Sequence, residues 1–279
     1  MASSGNVGAC AGSRAQVRVS IVTPSFNQAN YVERTVESVL SQHGDFELEY
    51  LVIDGGSTDG TLAILRRYGG RIHLVSEPDR GQSDAINKGF RMATGEILAW
   101  LNSDDTYLPG ALDTAVATLR RGARWCFGEC RIIDERDREI RRPIARYKTW
   151  LARRFSLRRL LAAGNFIPQP ATFFRREIFE QAGSLEEQFH LAMDYDLWLR
   201  FARLGGPHFI HRPLANFRWH GGSKTGAHYR DVAWECFRIA CRHARGFEHP
   251  VLAQHLASYA MQTTIYKLLD FAHPSRSNG

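Results

Sequence analysis

The stretch ILAWLNSDD, residues 97–105, places two adjacent aspartates directly after five apolar residues. A short apolar run of this kind is typical of a buried strand, so both carboxylates come at a strand end. Unpaired, they would repel each other, and their burial would be costly. Mg²⁺ and Mn²⁺ are held in proteins by one or two carboxylates together with substrate phosphates. The stretch therefore predicts a divalent cation and a phosphate-bearing ligand. The alternative is that Asp105 only caps a helix that begins near Pro109.

The preceding sequence repeats the pattern of a short apolar strand followed by a polar turn. Candidate strands at 17–23, 50–54 and 72–76 are followed by PSFNQ, DGGSTDG and SEPDRGQSD. Amphipathic helix patterns lie between the strands, and this alternation indicates parallel βαβ units with helices on both faces of the sheet. Ligands bind at the carboxyl ends of the strands in such sheets. The four polar clusters therefore predict one crevice along that edge.

After about residue 122 the pattern changes. WCFGE (125–129) and HFIHRP (208–213) are further strand candidates, and 193–205 has a helical pattern before the loop RWHGGSKT. The last 50 residues look helical. Two candidate buried faces can be drawn on these helices, one with Val232, Cys236, Ile239 and Ala240 and the other with Leu252, Leu256 and Tyr259. We expect both helices to be packing elements.

Composition and cysteine count indicate the class of protein. The 279 residues are 44% hydrophobic and 23% charged, as in soluble globular proteins, and no apolar run is long enough to cross a membrane. The five cysteines are scattered and odd in number, which favours free thiols in a reducing, cytoplasmic compartment. Residues 1–16 are predicted to be a flexible tail.

The net charge of +7 is unevenly distributed. Ten Lys or Arg and no acidic residue lie between Ile140 and Arg176. Such a block is either a solvated face or an anion-binding surface, and peripheral attachment to anionic lipid at the inner face of the cell membrane is the main rival hypothesis. Trp150, Leu157 and Leu161 would share a helical face, but Arg153 and Arg154 flank it closely. No nucleic-acid motif accompanies the charge, so no nucleic-acid partner is expected.

Five blocks of sequence together resemble the family 2 glycosyltransferases: VSIVTPSFNQANYVERTVESVLSQ, EYLVIDGGSTDGT, SEPDRGQSDAINKGF, ATGEILAWLNSDD and AMDYDLWLR. The resemblance implies an α/β fold of the GT-A type, a Rossmann-like, mostly parallel sheet flanked by helices, with a helical C-terminal extension. The GT-A domain would span 17–227, with a nucleotide-binding half at 17–121 and an acceptor half at 122–227. The extension would be 228–279.

The resemblance also implies the donor site. Its nucleotide-sugar-binding residues would be Thr23, Pro24 and Asn27 in the first strand-end loop, with Asp54, Asp84, Asn102 and Ser103. Asp104 would be the principal ligand of a divalent metal, Mn²⁺ or Mg²⁺, with His220 reaching the metal or the diphosphate and Asp105 as a further acid. Asn102 stands where the family's metal motif has its first aspartate, so we expect weaker metal binding rather than none.

The acceptor side follows from the same resemblance. Asp194 matches the catalytic base, although Met193 replaces the acid that usually precedes it, and Asp196 is the fallback. A carboxylate there takes the proton of the acceptor hydroxyl as it attacks the anomeric carbon. The alternative for Asp194 is a helix cap. Gln169 would touch the acceptor. Independently of the resemblance, the Gly-flanked loop HGGSK predicts closure over the diphosphate, with Lys224 offsetting leaving-group charge; the alternative is that His220 is a structural histidine.

The resemblance implies an inverting glycosyltransferase that moves a sugar from a nucleotide-diphosphate sugar, with UDP-sugars favoured, to a glycan or lipid-linked acceptor in cell-surface polysaccharide or glycolipid synthesis. Two alternatives stay open. A non-catalytic sugar-nucleotide binding module is suggested by the replacement of acids at Asn102 and Met193. A nucleotidyltransferase is disfavoured because TPSFNQANY lacks a Gly-rich, basic phosphate-binding loop.

Overall fold

The computed structural model describes residues 16–272, and for 224–229 and 266–272 it describes the backbone helix alone. The strands are β1 (Val17–Ser25), β2 (Phe46–Asp54), β3 (His73–Ser76), β4 (Ile97–Trp100), β5 (Thr106–Tyr107), β6 (Trp125–Ile133), β7 (Glu139–Ile140), β8 (Thr172–Arg175) and β9 (His208–Arg218). The helices are α1 (Val32–Leu40), α2 (Thr61–Arg66), α3 (Gln82–Met92), α4 (Ala111–Arg120), α5 (Arg142–Ala152), α6 (Leu157–Ala163), α7 (Arg176–Ala182), α8 (Met193–Leu204), α9 (Lys224–His243) and α10 (Val251–Ala272). Short 3₁₀ turns occupy Gln169–Ala171 and Gly246–Glu248.

The strands form one sheet in the order β3-β2-β1-β4-β8-β6-β9-β5, with β7 paired to β6. β1 to β4 are mutually parallel where they pair, which brings their carboxyl ends to one edge as predicted. β8 runs antiparallel to both β4 and β6, whereas β6 and β9 are parallel. The sheet thus continues through both predicted halves of the domain. That residues 17–121 bind the nucleotide and residues 122–227 bind the acceptor stays a prediction.

Alternating strand residues separate the two hydrophobic cores. Ile21 and Val52 pack with α1 and α4 on one face of the sheet. Val22 and Ile53 pack with α3, α6, α8 and α9 on the other. This period-two alternation is what a strand covered on both sides requires.

Two arginines of the basic block hold helix ends on the sheet. Arg175 donates to the carbonyl oxygens of Leu119, in the last turn of α4, and of Ala123, just beyond it. Arg176 donates to the carbonyl oxygens of Ala93 and Gly95 just after α3. Carbonyl groups at helix C-termini lack intrahelical partners, so these arginines satisfy them. They are structural rather than part of an anion-facing surface.

The structure corrects two predictions about helix faces. Trp150 and Leu161 do not share a helical face, because α5 ends at Ala152 and α6 begins at Leu157. Trp150 is half-exposed, whereas Leu161 is fully buried. In α10 Val251 and His255 are buried, while Leu256, predicted to pack, is exposed.

No described helix is long and apolar enough to span a membrane. The predicted tail at 1–16 lies, apart from residue 16, outside the described residues.

Candidate active site

A cavity of about 800 Å³ opens at the carboxyl ends of β1 and β4. Pro24 and Ser25 of β1 line it, together with Asn102, Ser103 and Asp104 of the turn after β4. This volume is within the range of about 300–1,000 Å³ of ligand pockets. The NSDD turn therefore faces a cavity large enough for a nucleotide sugar.

Asp104, which lines this cavity, contacts His220 although 116 residues separate the two in sequence. The Asp104 Oδ2 atom lies 3.0 Å from His220 Nε2, and the Gly222 amide donates to His220 Nδ1 at 3.2 Å. Because Nδ1 accepts that bond, the proton of a neutral imidazole sits on Nε2 and is donated to Asp104. The loop after β9 thereby orients the Asp104 carboxylate.

Asp105 has the opposite environment. It is fully buried, and its Oδ1 accepts the backbone amide of Arg218 at 2.8 Å while Oδ2 accepts the Asn102 amide group at 3.4 Å. Burial, and secondly the nearby charge of Asp104, raise the pKa of Asp105 well above its ordinary value. The N-cap of α4 is Gly110, so the helix-cap interpretation of Asp105 is wrong. Its carboxylate ties the turn to β9.

Asp104 is better suited than His220 to hold a divalent metal at this site. Asp104 offers a carboxylate that faces the cavity, and Mg²⁺ or Mn²⁺ commonly takes one or two protein carboxylates with the rest of its ligands from phosphates and water. His220 could coordinate through Nε2 only if Nδ1 were protonated, which would break the Gly222 bond. Among the described residues there is no cluster of three His, Cys, Asp or Glu side chains.

Gln82 is a cavity residue that the sequence analysis did not single out. It opens α3, and its Nε2 donates to Asn102 Oδ1 at 2.7 Å. The positive φ of Gly81 (115°) turns the chain into this helix, and both residues line the cavity. Gln82 belongs to the polar cluster SEPDRGQSD, which predicts that this turn borders the crevice. Sequence spacing alone does not distinguish Gln82 from its neighbours.

The predicted nucleoside-side residues lie around the ends of β1, β2 and α3. Thr23 is inside β1 rather than in a loop, and its hydroxyl lies 3.0 Å from that of Tyr50 in the core. Pro24, also in β1, lines the cavity. Asn27, with φ of 51°, accepts the Thr58 amide and so joins the loops after β1 and β2.

Asp54 and Asp84 both organise local backbone. The buried Asp54 carboxylate accepts the amides of Gly56 and Ser57 and the hydroxyl of Ser76. Asp84, in the first turn of α3, is paired with Arg80 at 3.1 Å, and this hydrogen bond holds the pKa of Asp84 below its ordinary value. Their contact with a nucleotide stays a prediction.

Asp194 lies on the cavity wall in the first turn of α8. Its Oδ2 accepts the Asn165 amide group at 2.8 Å, and its Oδ1 accepts the Tyr195 amide. Burial raises the pKa of Asp194, opposed by the Asn165 bond and by the charge of Lys148. The N-cap of α8 is Ala192, so Asp194 is not the helix cap.

The remaining candidate residues, Asp196, Gln169 and Lys224, divide into three cases. Asp196 is buried away from the cavity and is held by Arg200 at 2.8 Å and His243 at 2.7 Å. Burial acts to raise its pKa, but these partners outweigh it and the pKa is lowered. Gln169 lines the cavity and donates to the Trp100 carbonyl at 2.7 Å. Lys224 begins α9, and its side chain lies outside the described residues.

The C-terminal helices also reach the cavity, contrary to the expectation that they only pack. Cys236 of α9 and His255, Tyr259 and Gln262 of α10 line it beyond Asp194. Helix α5 contributes Lys148. Sequence periodicity indicated helices here but gave no sign that polar residues of α10 faced inward.

Solved structures share this fold. Residues 1–349 of Staphylococcus aureus TarS, in complex with UDP-GlcNAc, superpose with a TM-score of 0.67 at 17% identity, covering 87% of this chain and 72% of that one. The mannosyltransferase PcManGT of Pyrobaculum calidifontis, in complex with GDP-Man and Mn²⁺, gives a TM-score of 0.64 at 22% identity, covering 94% and 83%. The fold is therefore that of the GT-A glycosyltransferases, as the resemblance implied.

Sequence comparison places the chain more narrowly. It belongs to the family described as Glycosyl transferase family 2, whose sequence model matches residues 20–183. An uncharacterized glycosyltransferase of Mycobacterium tuberculosis is 35% identical over 205 residues, which are 71% of this chain and 74% of the relative. One of Rickettsia typhi is 29% identical over 216 residues, 74% and 65% of the two chains. The chain is therefore a glycosyltransferase with the GT-A fold.

Proposed function

We propose that this enzyme transfers a sugar, with inversion, from a nucleotide-diphosphate sugar to an acceptor hydroxyl. The observation that carries the proposal is that Asp194 shares one cavity with Asn102 and Asp104. In the reaction the acceptor oxygen forms a bond to the anomeric carbon, the bond from that carbon to the diphosphate breaks, and the hydroxyl proton passes to Asp194. The nucleoside diphosphate leaves with the bonding electron pair.

Asp194 is suited to the role of base by its surroundings. Its raised pKa makes the carboxylate a better proton acceptor than an exposed aspartate, while the Asn165 bond and Lys148 keep the ionised form accessible. Asp196 is unsuited, because its carboxylate is occupied by Arg200 and His243 outside the cavity. Met193 in place of an acid spares Asp194 a neighbouring negative charge.

The donor end lies at the ends of β1 and β4. Pro24, Asn27, Asp54 and Asp84 are proposed to bound the nucleoside, with uridine favoured by the resemblance, and Asn102 and Ser103 to meet the ribose or phosphates. When bound, Mn²⁺ or Mg²⁺ supplies positive charge to the diphosphate, and Asp104 would hold it. TarS was solved with UDP-GlcNAc and PcManGT with GDP-Man and Mn²⁺, which supports a nucleotide-sugar donor here.

The acceptor is proposed to be a glycan or lipid-linked glycan in cell-surface polysaccharide or glycolipid synthesis. Helix α5 supports attachment to the cytoplasmic face of a membrane because its two faces differ. Ala145, Lys148, Thr149 and Ala152 line the cavity. Arg146 and Trp150 of α5 are exposed, and with the exposed Arg153 and Arg154 of the following turn and Arg158 of α6 they form the basic surface. Arginine and tryptophan side chains favour anionic interfaces.

Replacement of Asp194 by Asn tests the catalytic proposal against the binding-module alternative. We expect transfer to fall at least about 100-fold, because general-base catalysis contributes about 10²–10⁴. Binding of UDP or GDP, measured by calorimetry with Mn²⁺, should stay as in wild type. Asp196→Asn is the matched control and should lower thermal stability rather than the rate per folded molecule. Tight nucleotide binding by wild type without turnover of any donor would instead favour a binding module.

A further inference from the structure

We infer that Arg218 is a positioning residue, which fixes the NSDD turn from behind so that the Asp104 carboxylate is held toward the cavity. This inference rests on the proposed function, in which Asp104 holds the cation of the donor diphosphate. It concerns three side chains, here named the Arg218 clamp: Arg218, Tyr31 and Asp137. None of these three described residues lines the cavity, so the clamp acts through Asp104 and not on a substrate.

Arg218, the last residue of β9, binds the turn on both sides of the Asp104 peptide group. Its Nε atom donates to the Asp104 carbonyl oxygen at 2.9 Å, and its backbone amide donates to Asp105 Oδ1 at 2.8 Å. The main chain of Asp104 and the side chain of Asp105 are therefore both fixed to one residue. Asp104 lines the cavity and Asp105 does not, so the turn presents one carboxylate to the cavity and keeps the other inside.

The guanidinium of Arg218 is anchored at its far end by the turn between β6 and β7. Its Nη1 atom donates to the Asp134 carbonyl oxygen at 2.8 Å, and its Nη2 atom donates to Asp137 Oδ1 at 2.5 Å. Hydrogen bonds also close that turn, because the Asp134 carboxylate accepts the backbone amides of Arg136 and Arg138 at 2.9 Å each. One planar group thus joins two separate turns, a task that suits the fixed fork of an arginine.

Tyr31 connects the same guanidinium to His220. The centre of the Tyr31 ring lies 5.3 Å from the guanidinium carbon of Arg218 and 4.7 Å from the centre of the His220 ring. An aromatic face attracts a guanidinium, and ring contacts of this kind hold a side chain in one orientation. His220 Nε2 in turn lies 3.0 Å from Asp104 Oδ2. Arg218 therefore fixes the backbone of Asp104 directly and its carboxylate through Tyr31 and His220.

Stability alone does not account for an arginine at this position. The Arg218 side chain is fully buried, whereas the side chain of its partner Asp137 is 50% exposed. Apolar residues of similar volume often replace a buried ion pair without loss of stability. An apolar residue at 218 could not, however, bind the Asp104 carbonyl oxygen. Groups that orient a metal ligand typically contribute about 10–100-fold to metal affinity or activity, which is the effect expected of the clamp.

Three substitutions test the clamp at its two ends. Arg218→Lys keeps the positive charge, but a single ammonium group cannot reproduce the planar fork. Asp137→Ala removes the acceptor at the exposed end, and Asp137→Asn is the conservative variant that retains an oxygen acceptor. Asp45→Ala is the matched control, because Asp45 is also exposed and pairs with Arg120 at 2.5 Å, and neither of these two lines the cavity.

The quantity measured is the metal factor, defined as the affinity of the full chain for a nucleotide with Mn²⁺ divided by its affinity in EDTA. The nucleotide is UDP or GDP, whichever the wild type binds more tightly in calorimetry. We expect Arg218→Lys to lower the metal factor about tenfold or more, with nucleotide affinity in EDTA unchanged. Asp137→Ala should lower it too, Asp137→Asn should recover most of that loss, and Asp45→Ala should leave it unchanged.

A second background shows whether the effect passes through Asp104. In Asp104→Asn the metal factor should already be near one, and adding Arg218→Lys should lower it no further, because residues that act as a unit are not additive. A merely structural loss would instead weaken nucleotide binding in EDTA as well, and in both backgrounds. That result overturns the inference, and so does an unchanged metal factor in Arg218→Lys or an equal loss in Asp45→Ala and Asp137→Ala.

Folding and catalysis are measured in parallel. Circular dichroism and urea denaturation check each variant, and if Arg218→Lys is unfolded the two Asp137 variants decide by the same criteria. A wild type with a metal factor of one, or without affinity for either nucleotide, overturns the inference, whereas hydrolysis of a nucleotide sugar in EDTA would leave the proposed transfer standing. The expected metal factors without turnover of any donor would leave the clamp standing and contradict the proposed catalysis.

Discussion

Asp104 and Asp105 are adjacent in sequence and have opposite surroundings. Asp104 faces the cavity and His220, whereas Asp105 is enclosed and accepts the Arg218 amide. Arg218 is itself fully buried, donates to the Asp104 carbonyl and pairs with Asp137 at 2.5 Å. Burial, and secondly the charge of Asp104, raise the pKa of Asp105 and so disfavour its charged form, which reduces the repulsion between the two acids without a metal.

The pH dependence of kcat/KM should report on Asp194. Burial, the largest influence, raises its folded-state pKa above the ordinary value. A base must be deprotonated, so activity is expected to be present above that raised pKa and to be lost as pH falls through it. The acid limb should therefore lie above the range of an exposed aspartate, about pH 4. A pH–rate profile from pH 4 to 8 measures it.

Asn165 provides the matched variant for that profile. Its hydrogen bond lowers the pKa of Asp194, so Asn165→Ala should move the acid limb to higher pH. Asn87→Ala is a control, because Asn87 is also buried and bonds to the backbone of Leu185, away from Asp194. An unchanged limb in Asn165→Ala would show that another group titrates.

Some residues of the site can be predicted from sequence motifs, and others cannot. Asp104, Asp194 and His220 stand in recognisable motifs, and the structure brings all three to one region. Asn165 and Gln82 carry no motif, since their importance comes from a partner that is distant in sequence. The resemblance implies that Thr23 lies in the first strand-end loop, but β1 continues to Ser25 through pairing with β2.

At the scale of elements, α9 holds the beginning of α8. The Glu235 carboxylate accepts the backbone amides of His190, Leu191 and Ala192 at 3.3, 2.8 and 2.8 Å. These amides precede the first turn of α8, which carries Asp194. A carboxylate at a helix N-terminus satisfies unpaired amides and interacts favourably with the helix dipole.

Glu235→Ala should therefore weaken both stability and catalysis. We expect the free energy of unfolding to fall by about 1–2 kcal/mol, as for the loss of a helix cap, and kcat to fall while the KM for the donor stays constant. Urea denaturation and initial rates measure the two effects. Glu235→Gln, which keeps one acceptor oxygen, should retain part of both. An equal rise in donor KM would contradict a role confined to α8.

The helices also show where hydrophobic periodicity fails to predict which face points inward. The strands and helices of the first half follow from alternation of short apolar runs with amphipathic segments, and the structure confirms them. The inward face of α10 carries His255, Tyr259 and Gln262, which a search for apolar stripes passes over. A helix that lines a cavity has no continuous apolar stripe, so its orientation depends on the packed structure.

At the scale of the whole molecule, the charge of +7 should direct the protein to anionic surfaces. The triple variant Arg146→Ser, Arg153→Ser, Arg158→Ser removes three exposed cations of the basic surface. At about 1 kcal/mol per arginine, partition onto phosphatidylglycerol vesicles should weaken about 100-fold. Co-sedimentation measures the partition, which should also fall as salt rises.

A second triple variant separates location from net charge. Arg66→Ser, Arg91→Ser, Arg121→Ser removes the same charge from exposed positions outside the basic surface. Binding of this variant should stay close to wild type. Equal losses in the two variants, or no binding of wild type to anionic vesicles, would reject the basic surface as the attachment site.

The contact between Asp104 and His220 has a consequence for biosynthesis. Because 116 residues separate the two, the ribosome takes roughly 6–23 s to deliver the second after the first, at about 5–20 residues per second. β9, which carries the chain to His220, pairs with β6 and β5, so the pocket closes only after the sheet has assembled across its full order. The segments of the four parallel strands β1 to β4 are therefore synthesised well before His220, and we expect early translation products to be unable to retain a nucleotide sugar.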